Sequence, residues 1–236
     1  MHNSFWRLYM SELTINDRKC LLYECGNQPQ VLLIQMTFAE ELPTLQAEAD
    51  AIFQASKKPF VLAAIEVNNW SHDLSPWKSP SISPREQLGD GAVETLRTLE
   101  TEVLHMLRER YGELPVILGG YSLAGLFALW AGTQTNTFAA VAACSPSLWI
   151  EGWSDYADAH PLLAKTVYLS LGDKEEKTRN PLSSTVGDRV REQHDRHQFT
   201  TEHCTLVWEQ GGHFVTPHLR TARGFEWCIE NIDVGR

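Results

Sequence analysis

The sequence lacks the features that mark membrane proteins and partners of nucleic acid. No apolar run is long enough to span a membrane. Basic residues form no stripe, and 30 acidic residues outnumber 20 basic ones, which gives a net charge of −10. We therefore expect neither nucleic acid nor a membrane surface as a partner, because both attract proteins that carry basic patches.

Signs of disulfide pairing and of metal binding are also scarce. The five cysteines are an odd number with no C-x-x-C spacing, which predicts buried free thiols in a reducing compartment. His194 and His197 stand at helical spacing, but no third ligand follows at a recognisable distance. No apolar segment of the secretory type follows Met1. We expect a cytoplasmic protein that holds no metal and needs no cofactor.

Apolar runs of the kind found in buried strands alternate with segments of helical spacing. Val31–Ile34 and Phe60–Val67 are typical of strands, and Leu42–Ser56 between them has the spacing of a helix. This alternation indicates parallel βαβ units. With 236 residues, 43% of them hydrophobic, the chain is predicted to form one α/β domain over residues 1–236. Its mostly parallel, twisted sheet should carry helices on both faces.

The most informative segment runs from Val116 to Trp130. An apolar strand enters a glycine pair, a serine follows among small residues, and a run of good helix formers leaves. This order is typical of a nucleophile elbow, in which Ser122 is exposed on a sharp turn between a strand and a helix. Gly120 and Ala124 must be small because they crowd the turn, and Gly125 lets the helix pack close to the strand.

A serine nucleophile needs a base and an orienting acid, which in this architecture follow in the order serine, acid, histidine. An acidic loop after one late strand offers Glu175, with Asp173 and Glu176 as alternatives. A Gly-Gly pair after the last strand precedes His213, and His218 is its competitor. We therefore predict Ser122, Glu175 and His213 as the catalytic residues.

The remaining parts of the predicted site are an oxyanion hole and a substrate pocket. The amide of Leu123 is the first donor, and Met36 or Thr37 should supply the second from the loop after the third strand. Four tryptophans lie in loops that the predicted topology brings towards Ser122. We expect them either to line an acyl pocket or to cover the edge of the sheet. They are Trp70, Trp77, Trp149 and Trp153; the first three, with Tyr121, are the candidate substrate contacts.

Four short segments together resemble the putative-esterase family of α/β-hydrolases, in particular the branch of bacterial siderophore esterases. They are the elbow segment 120–128, the Asp-Leu-Ser-Pro-Trp segment 73–77, the Ser-Pro-Ser-Leu-Trp segment 145–149 and the Gly-Gly-His segment 211–213. The resemblance implies an α/β-hydrolase fold and esterase chemistry. The chain departs from the family at Gln35-Met36, where relatives show Asp-Gly, and at His72, where an arginine is usual.

These observations predict a serine hydrolase that cleaves a small carboxylic ester through an acyl-enzyme intermediate. The acidic net charge does not suit a large anionic siderophore as its substrate. An acyltransferase or a thioesterase would use the same residues, and a non-catalytic binding module would keep the fold without the chemistry. The sequence leaves the oligomeric state open.

Overall fold

An eight-stranded sheet forms the centre of the computed structural model, which describes residues 7–15, 17–83 and 86–233. The two strands at one side pair antiparallel with each other and with their neighbour, and every other pairing in this sheet is parallel. The mostly parallel sheet predicted from the sequence is therefore confirmed. Across the sheet, the strands are β1 (Leu8–Ile15), β2 (Arg18–Cys25), β4 (Phe60–Glu66), β3 (Val31–Thr37), β7 (Val116–Tyr121), β8 (Ala140–Cys144), β9 (Thr166–Gly172) and β10 (His203–Glu209). The ribbon of β5 (Ser79–Pro80) and β6 (Gln87–Leu88) is separate.

Helices connect the parallel strands. A π-helical turn, Leu99–Val103, joins two of them into one continuous stretch, and short 3₁₀ helices occur at Ala39–Glu41 and Ser183–Thr185. The α-helices are α1 (Leu42–Ala55), α2 (Trp70–Asp73), α3 (Ala92–Thr98), α4 (Leu104–Tyr111), α5 (Leu123–Gln134), α6 (Trp153–Ala159), α7 (Val186–His197) and α8 (Pro217–Asn231).

The two faces of the sheet carry separate apolar cores. Helices α1 and α8 cover one face, while α3, α4, α5 and α7 cover the other. In β3, the side chain of Leu33 joins the first core and that of Ile34 joins the second. Since both faces are buried, the central strands need apolar side chains at every position, which explains their continuous apolar runs. The predicted helices on both faces are confirmed.

The carboxyl ends of the parallel strands meet along one edge of the sheet. This edge receives Thr37 from β3, Tyr121 from β7, Gly172 from β9 and Glu209 from β10. Loops beyond these residues are therefore close in space although they are far apart in the chain, as in other open α/β sheets.

The cysteines are free thiols, as predicted, and four of the five are buried while Cys204 is partly exposed. In the described part of the chain, no helix has the length and apolar character needed to cross a lipid bilayer. Between β1 and β2, Asp17 adopts the left-handed backbone conformation found in tight turns, with φ of 62°.

Candidate active site

Ser122 occupies a strained turn between β7 and α5. Its backbone has φ 57° and ψ −119°, a region that non-glycine residues rarely adopt and that costs roughly 1–3 kcal/mol. A Cβ atom at Gly120 would lie 2.5 Å from the Cβ of Ala124, and one at Gly125 would lie 3.0 Å from the carbonyl oxygen of Gly120. The predicted need for small residues at these positions is therefore confirmed.

The side chains of Ser122, His213 and Glu175 form one hydrogen-bonded chain. The Oγ of Ser122 lies 3.1 Å from Nε2 of His213, and the Nδ1 of that ring lies 2.7 Å from Oε2 of Glu175. The structure thus brings together the three residues predicted as catalytic, in the arrangement that activates a serine.

The alternative residues have other roles in the structure. Asp173 accepts a hydrogen bond from the Gly211 amide at 2.8 Å, so it braces the histidine loop. Glu176 pairs with Arg191 on the neighbouring helix. His218 lies in the first turn of α8 and lines the cavity beside Ser122.

Glu175 is held as a carboxylate by the groups around it. Burial raises its pKa, but the hydrogen bond and charge of His213 outweigh this effect, with further hydrogen bonds from the Ser145 hydroxyl at 2.7 Å and the Gly172 amide at 2.8 Å. The net pKa is lowered. An ionised Glu175 can fix the tautomer of His213 and stabilise the imidazolium that forms during catalysis.

Arg220, on α8, is a site residue that the sequence did not indicate. Its side chain is 1% exposed and donates from Nη1 to Glu175 at 2.9 Å and to the Tyr121 hydroxyl at 3.1 Å. Its Nη2 donates to the carbonyl oxygens of Gln210 and Gly212. Arg220 therefore connects the acid, the elbow strand and the histidine loop.

One sequence signal could have identified Arg220. It stands at helical spacing from Gly224 and Cys228, which face the apolar core. An arginine on the apolar face of a helix needs a buried acidic or carbonyl partner. The sequence alone does not say which partner this is, because the partners come from loops distant in the chain.

The segment Ser145-Pro146-Ser147 supports two members of the catalytic chain. The Ser145 hydroxyl donates to Glu175, and Ser145 itself has a positive φ of 43°. The Oγ of Ser147 lies 3.2 Å from the Oγ of Ser122, and the Ser147 amide donates to the carbonyl of Ser122 at 3.1 Å. In the sequence, this segment is notable only for its resemblance to the esterase family, whereas in the structure it holds Glu175 and contacts Ser122.

The first predicted oxyanion donor is in place, since Leu123 is the first residue of α5 and its amide lies at the helix N-terminus. The second oxyanion donor can be sought from the direction in which the backbone N–H groups of β3 point. The amide of Leu32 points towards the β7 side, so the amides of Met36 and Phe38 point the same way. The pairing of β3 with β7 ends at Gln35 and Gly119. We therefore take the Met36 amide as the last one of β3 that belongs to this pairing.

The amide of Phe38 is therefore the first beyond the paired part of β3 on the side of Ser122. The amide of Thr37 points towards β4, where its carbonyl accepts the Val67 amide at 2.9 Å. Met36 and Thr37 stay predictions for the second donor, and the alternation of amides along β3 adds Phe38 as a candidate.

A cavity of about 330 Å³ opens beside Ser122, between the end of β3, α1 and α8. Trp70 and Tyr121 line it, as predicted, and the Trp70 ring packs against Phe38 with their centroids 4.8 Å apart. Tyr121 also donates its hydroxyl proton to the carbonyl of His213 at 2.6 Å. It therefore supports the histidine loop as well as the cavity.

Trp77 and Trp149 do not line this cavity. The indole of Trp77 donates to the carbonyl of Glu151 at 2.8 Å and stacks on Trp153, on the face of the sheet that α5 covers. Trp149 packs against the same core. Both side chains therefore pack against the apolar core of that face and do not form an acyl pocket with Ser122.

The structure also places the histidines considered as metal ligands. His197 is buried and accepts a hydrogen bond from the side-chain amide of Gln193, and His194 lies beside Asp195 on the same helix. Among the described residues, no three His, Cys, Asp or Glu side chains are grouped as a metal would require.

The model of the family described as putative esterase matches residues 27–217. No curated protein matches the chain in sequence. The siderophore hydrolase EstA from Aspergillus nidulans has a similar structure, with a TM-score of 0.73 at 16% identity, over 97% of this chain and 96% of that one.

Two further solved structures are similar at low identity. An IroE-like serine hydrolase from Shewanella oneidensis has a TM-score of 0.71 at 15% identity, over 96% of this chain and 82% of its own. A cold-adapted esterase from an Arctic intertidal metagenomic library has a TM-score of 0.60 at 12% identity, over 99% of this chain and 100% of its own. These likenesses show the fold, and the family model matches most of the chain. The chain belongs to the putative esterase family, as a hydrolase of ester bonds with the α/β-hydrolase fold.

Proposed function

We propose that this protein is a serine esterase that cleaves a small carboxylic ester through an acyl-enzyme intermediate. The observation that carries the proposal is the hydrogen-bonded chain from Ser122 through His213 to Glu175. A serine hydroxyl is a weak nucleophile until a base takes its proton, and this chain supplies both a base and the acid that orients it.

In the first half of the reaction, the Oγ of Ser122 attacks the carbonyl carbon of the ester. Its proton passes to Nε2 of His213, while Glu175 stabilises the imidazolium through Nδ1. The tetrahedral intermediate collapses, and the alcohol leaves with the proton that His213 returns. The acyl group then remains on Ser122.

In the second half, a water molecule attacks the acyl-enzyme and His213 takes one of its protons. When the carboxylic acid leaves, that proton returns to Ser122 and restores the starting state. The negative oxygen of each intermediate is stabilised by the amide of Leu123, and we assign the second donor to the amide of Phe38. Such preorganised donors lower the barrier because they are strongest where charge develops.

The size of the cavity supports a small substrate. Its volume of about 330 Å³ is at the lower end of ligand pockets, and Trp70 and Phe38 give it an aromatic side. This suits an ester with a modest acyl or alcohol group better than a large cyclic one.

Hydrolysis of p-nitrophenyl esters with graded acyl chains tests the proposal. Ser122→Ala should lower kcat by at least ~10³-fold, because the covalent route is lost while binding remains. Ser184→Ala is the matched control, since that hydroxyl bonds within its own exposed turn, and it should retain full activity. Equal activity in both variants would exclude Ser122 as the nucleophile.

Thioesters and added alcohol acceptors extend the same assay to the two related activities. Faster cleavage of a thioester than of its oxygen analogue would identify a thioesterase. Transfer of the acyl group to an acceptor at the expense of hydrolysis would identify an acyltransferase. No turnover of any ester would favour a binding module.

A further inference from the structure

The side of the cavity formed by β3 and α1 is acidic. Gln35, Glu41 and Glu48, which we call the acidic floor, all line the cavity that holds Ser122. Gln35 is 5% exposed and Glu48 is 3% exposed, so two of these three polar side chains are buried. The position is unusual for polar groups, because the same face of α1 otherwise presents apolar side chains to the sheet.

Two oxygen atoms of the acidic floor have no hydrogen-bond partner. Gln35 lies close enough to Glu48 to favour the ionised form of its carboxyl group. The Oε1 atom of Gln35 and the Oε1 atom of Glu48 have no donor among the described residues. When Glu48 is ionised, both atoms are acceptors, so a group that complements them must be a donor.

The acidic floor also has no permanent cation beside it in the cavity. No lysine or arginine is among the described residues that line the cavity. Arg220, a buried cation of the site, is bound to Glu175 and to backbone carbonyls of the histidine loop. Among the described residues that line the cavity, none gives the floor a permanent positive charge.

The raised pKa values of Glu48 and Glu41 agree with a floor that has no cationic partner. Burial raises the pKa of Glu48 well above its usual value, and the nearby charge of Glu41 raises it further. Burial also raises the pKa of Glu41 to about 7, although Thr37 donates a hydrogen bond to it at 3.1 Å. Buried acids without a cationic partner reduce stability, and an apolar residue would fill the same space at a lower cost. Such groups in a cavity are more typical of a binding site than of a core.

We propose that the acidic floor binds a primary ammonium group carried by the ester substrate. This inference rests on the proposed esterase function, and it specifies the substrate as an ester of an amino-substituted acid or alcohol. A primary ammonium group has three N–H donors, enough for the free oxygens of Gln35 and Glu48 and for the carboxylate of Glu41. A quaternary ammonium group has no donor, and an anionic group would meet two acids.

Three p-nitrophenyl esters of matched length test the proposal on the acyl side. They are the 6-aminohexanoyl ester, the neutral heptanoyl ester and the anionic monoadipoyl ester. We expect kcat/KM for the amino ester to exceed that of the neutral ester by about tenfold or more, with the anionic ester slowest, since a buried charge pair contributes at least this much. The pair 6-aminohexyl acetate and heptyl acetate tests the alcohol side in the same way.

Variants of the acidic floor show which residues cause the preference for the amino ester. Glu48→Gln keeps the shape of the side chain and removes its charge, so the preference for the amino ester should fall by about tenfold or more, and Glu41→Gln should reduce it less. Glu113→Gln is the matched control, because that glutamate is exposed and lies before β7, at the opposite edge of the sheet. A preference unchanged in Glu48→Gln would mean that Glu48 and Gln35 satisfy each other and bind no ligand.

A binding measurement keeps the test independent of catalysis. Calorimetric titration with hexylammonium chloride, 1-hexanol and sodium hexanoate should show that the ammonium binds at least tenfold more tightly than the others, and that Glu48→Gln loses this binding. If hexylammonium binds but no ester is cleaved, the esterase proposal fails while the acidic floor stands. If esters are cleaved without an ammonium preference on either side, and hexylammonium does not bind, the ammonium proposal is wrong.

Discussion

Arg220 shows how much of an active site can depend on a residue that takes no part in the chemistry. It bonds Glu175, Tyr121 and two carbonyl groups of the histidine loop, and it is 1% exposed. Because water cannot replace these bonds in a buried position, we regard Arg220 as a positioning residue whose removal leaves Glu175 unpaired on one side.

Arg220→Met should therefore lower both activity and stability. We expect kcat to fall at least ~10-fold with a smaller change in KM, and the free energy of unfolding to fall by about 3–5 kcal/mol. Arg220→Lys should restore part of kcat, because one cationic donor returns. Arg223→Met is the control: that arginine is partly exposed and pairs with Glu209. A purely structural role would lower stability in Arg220→Met without changing kcat of the folded fraction.

The sequence was informative about single residues where the chemistry has a strict local pattern. Ser122 could be predicted because the elbow needs small residues at fixed positions, and His213 because glycines precede it after a strand. Glu175 could be ranked above Asp173 and Glu176 only by spacing. Its bonds to Ser145 and Arg220 depend on the arrangement of distant loops, and no local pattern encodes them.

At the level of elements, the strand-to-helix turn at Ser122 depends on the lack of a side chain at Gly120. Gly120→Ala would place a Cβ atom 2.5 Å from the Ala124 Cβ and 2.8 Å from its backbone carbon, which α5 holds in place. We expect the free energy of unfolding to fall by about 1–3 kcal/mol. Gly212→Ala is the matched control, since a Cβ there meets nothing within 4 Å. Equal thermal unfolding temperatures for the two variants would contradict the close packing of the elbow.

A buried chain of hydrogen bonds connects helices α6 and α7. The indole of Trp153 donates to the carbonyl oxygen of the Gln193 side chain at 3.0 Å, and the amide nitrogen of Gln193 donates to Nε2 of His197 at 2.6 Å. The indole can only donate, so the orientation of Gln193 is fixed and Nε2 of His197 must be unprotonated. Burial, together with the charges of Arg196 and His194, lowers the pKa of His197 to about 4.

This pKa shift predicts how stability depends on pH. In the unfolded chain, His197 is protonated below its ordinary pKa of 6.5, whereas in the folded chain its pKa is about 4. The stabilisation is therefore complete above pH 6.5 and is lost as the pH falls towards 4, by about 2 kcal/mol between about pH 7.5 and pH 5. His197→Gln should lose this part of the pH dependence in urea unfolding. Parallel curves for the two proteins would contradict a neutral, buried His197.

The elements were predicted best where they are buried on both sides. The central strands and α1 matched their apolar patterns closely. The helical stretch that begins at Ala92 follows an apolar pattern less closely, since the apolar Val93 is 63% exposed. The buried face follows Ala92, Leu96, Leu99 and Val103, and a π-helical turn shifts the register beyond it. Periodicity alone does not reveal an inserted residue.

At the scale of the whole molecule, both apolar cores combine residues from the beginning and the end of the chain. One extends from Cys20 to Val190 and the other from Leu21 to Ile232, and α1 packs against α8. Neither half of the chain can therefore bury its apolar surface without the other. The sequence predicted this α/β arrangement from the alternation of strands and helices, while β1 and β2 are antiparallel because a short hairpin joins them outside the βαβ pattern.

This sharing of both cores predicts that the chain unfolds as one unit, in agreement with its assignment to one domain. Far-ultraviolet circular dichroism reports on helices and strands, and tryptophan fluorescence reports on the packing of indoles such as Trp130 and Trp153, which are buried. The two signals should change together in urea, with a single midpoint. Two separate transitions would indicate that part of the sheet folds independently.

The central claim is that Ser122 is the nucleophile and that His213 activates it. Mass spectrometry of peptides after treatment with a fluorophosphonate measures this most directly. We predict one modified residue, Ser122, and a labelling rate at least ~10³-fold lower in His213→Ala, because the base no longer takes the serine proton. A label on Ser145, Ser147 or another residue, or an equal rate in His213→Ala, would contradict the account.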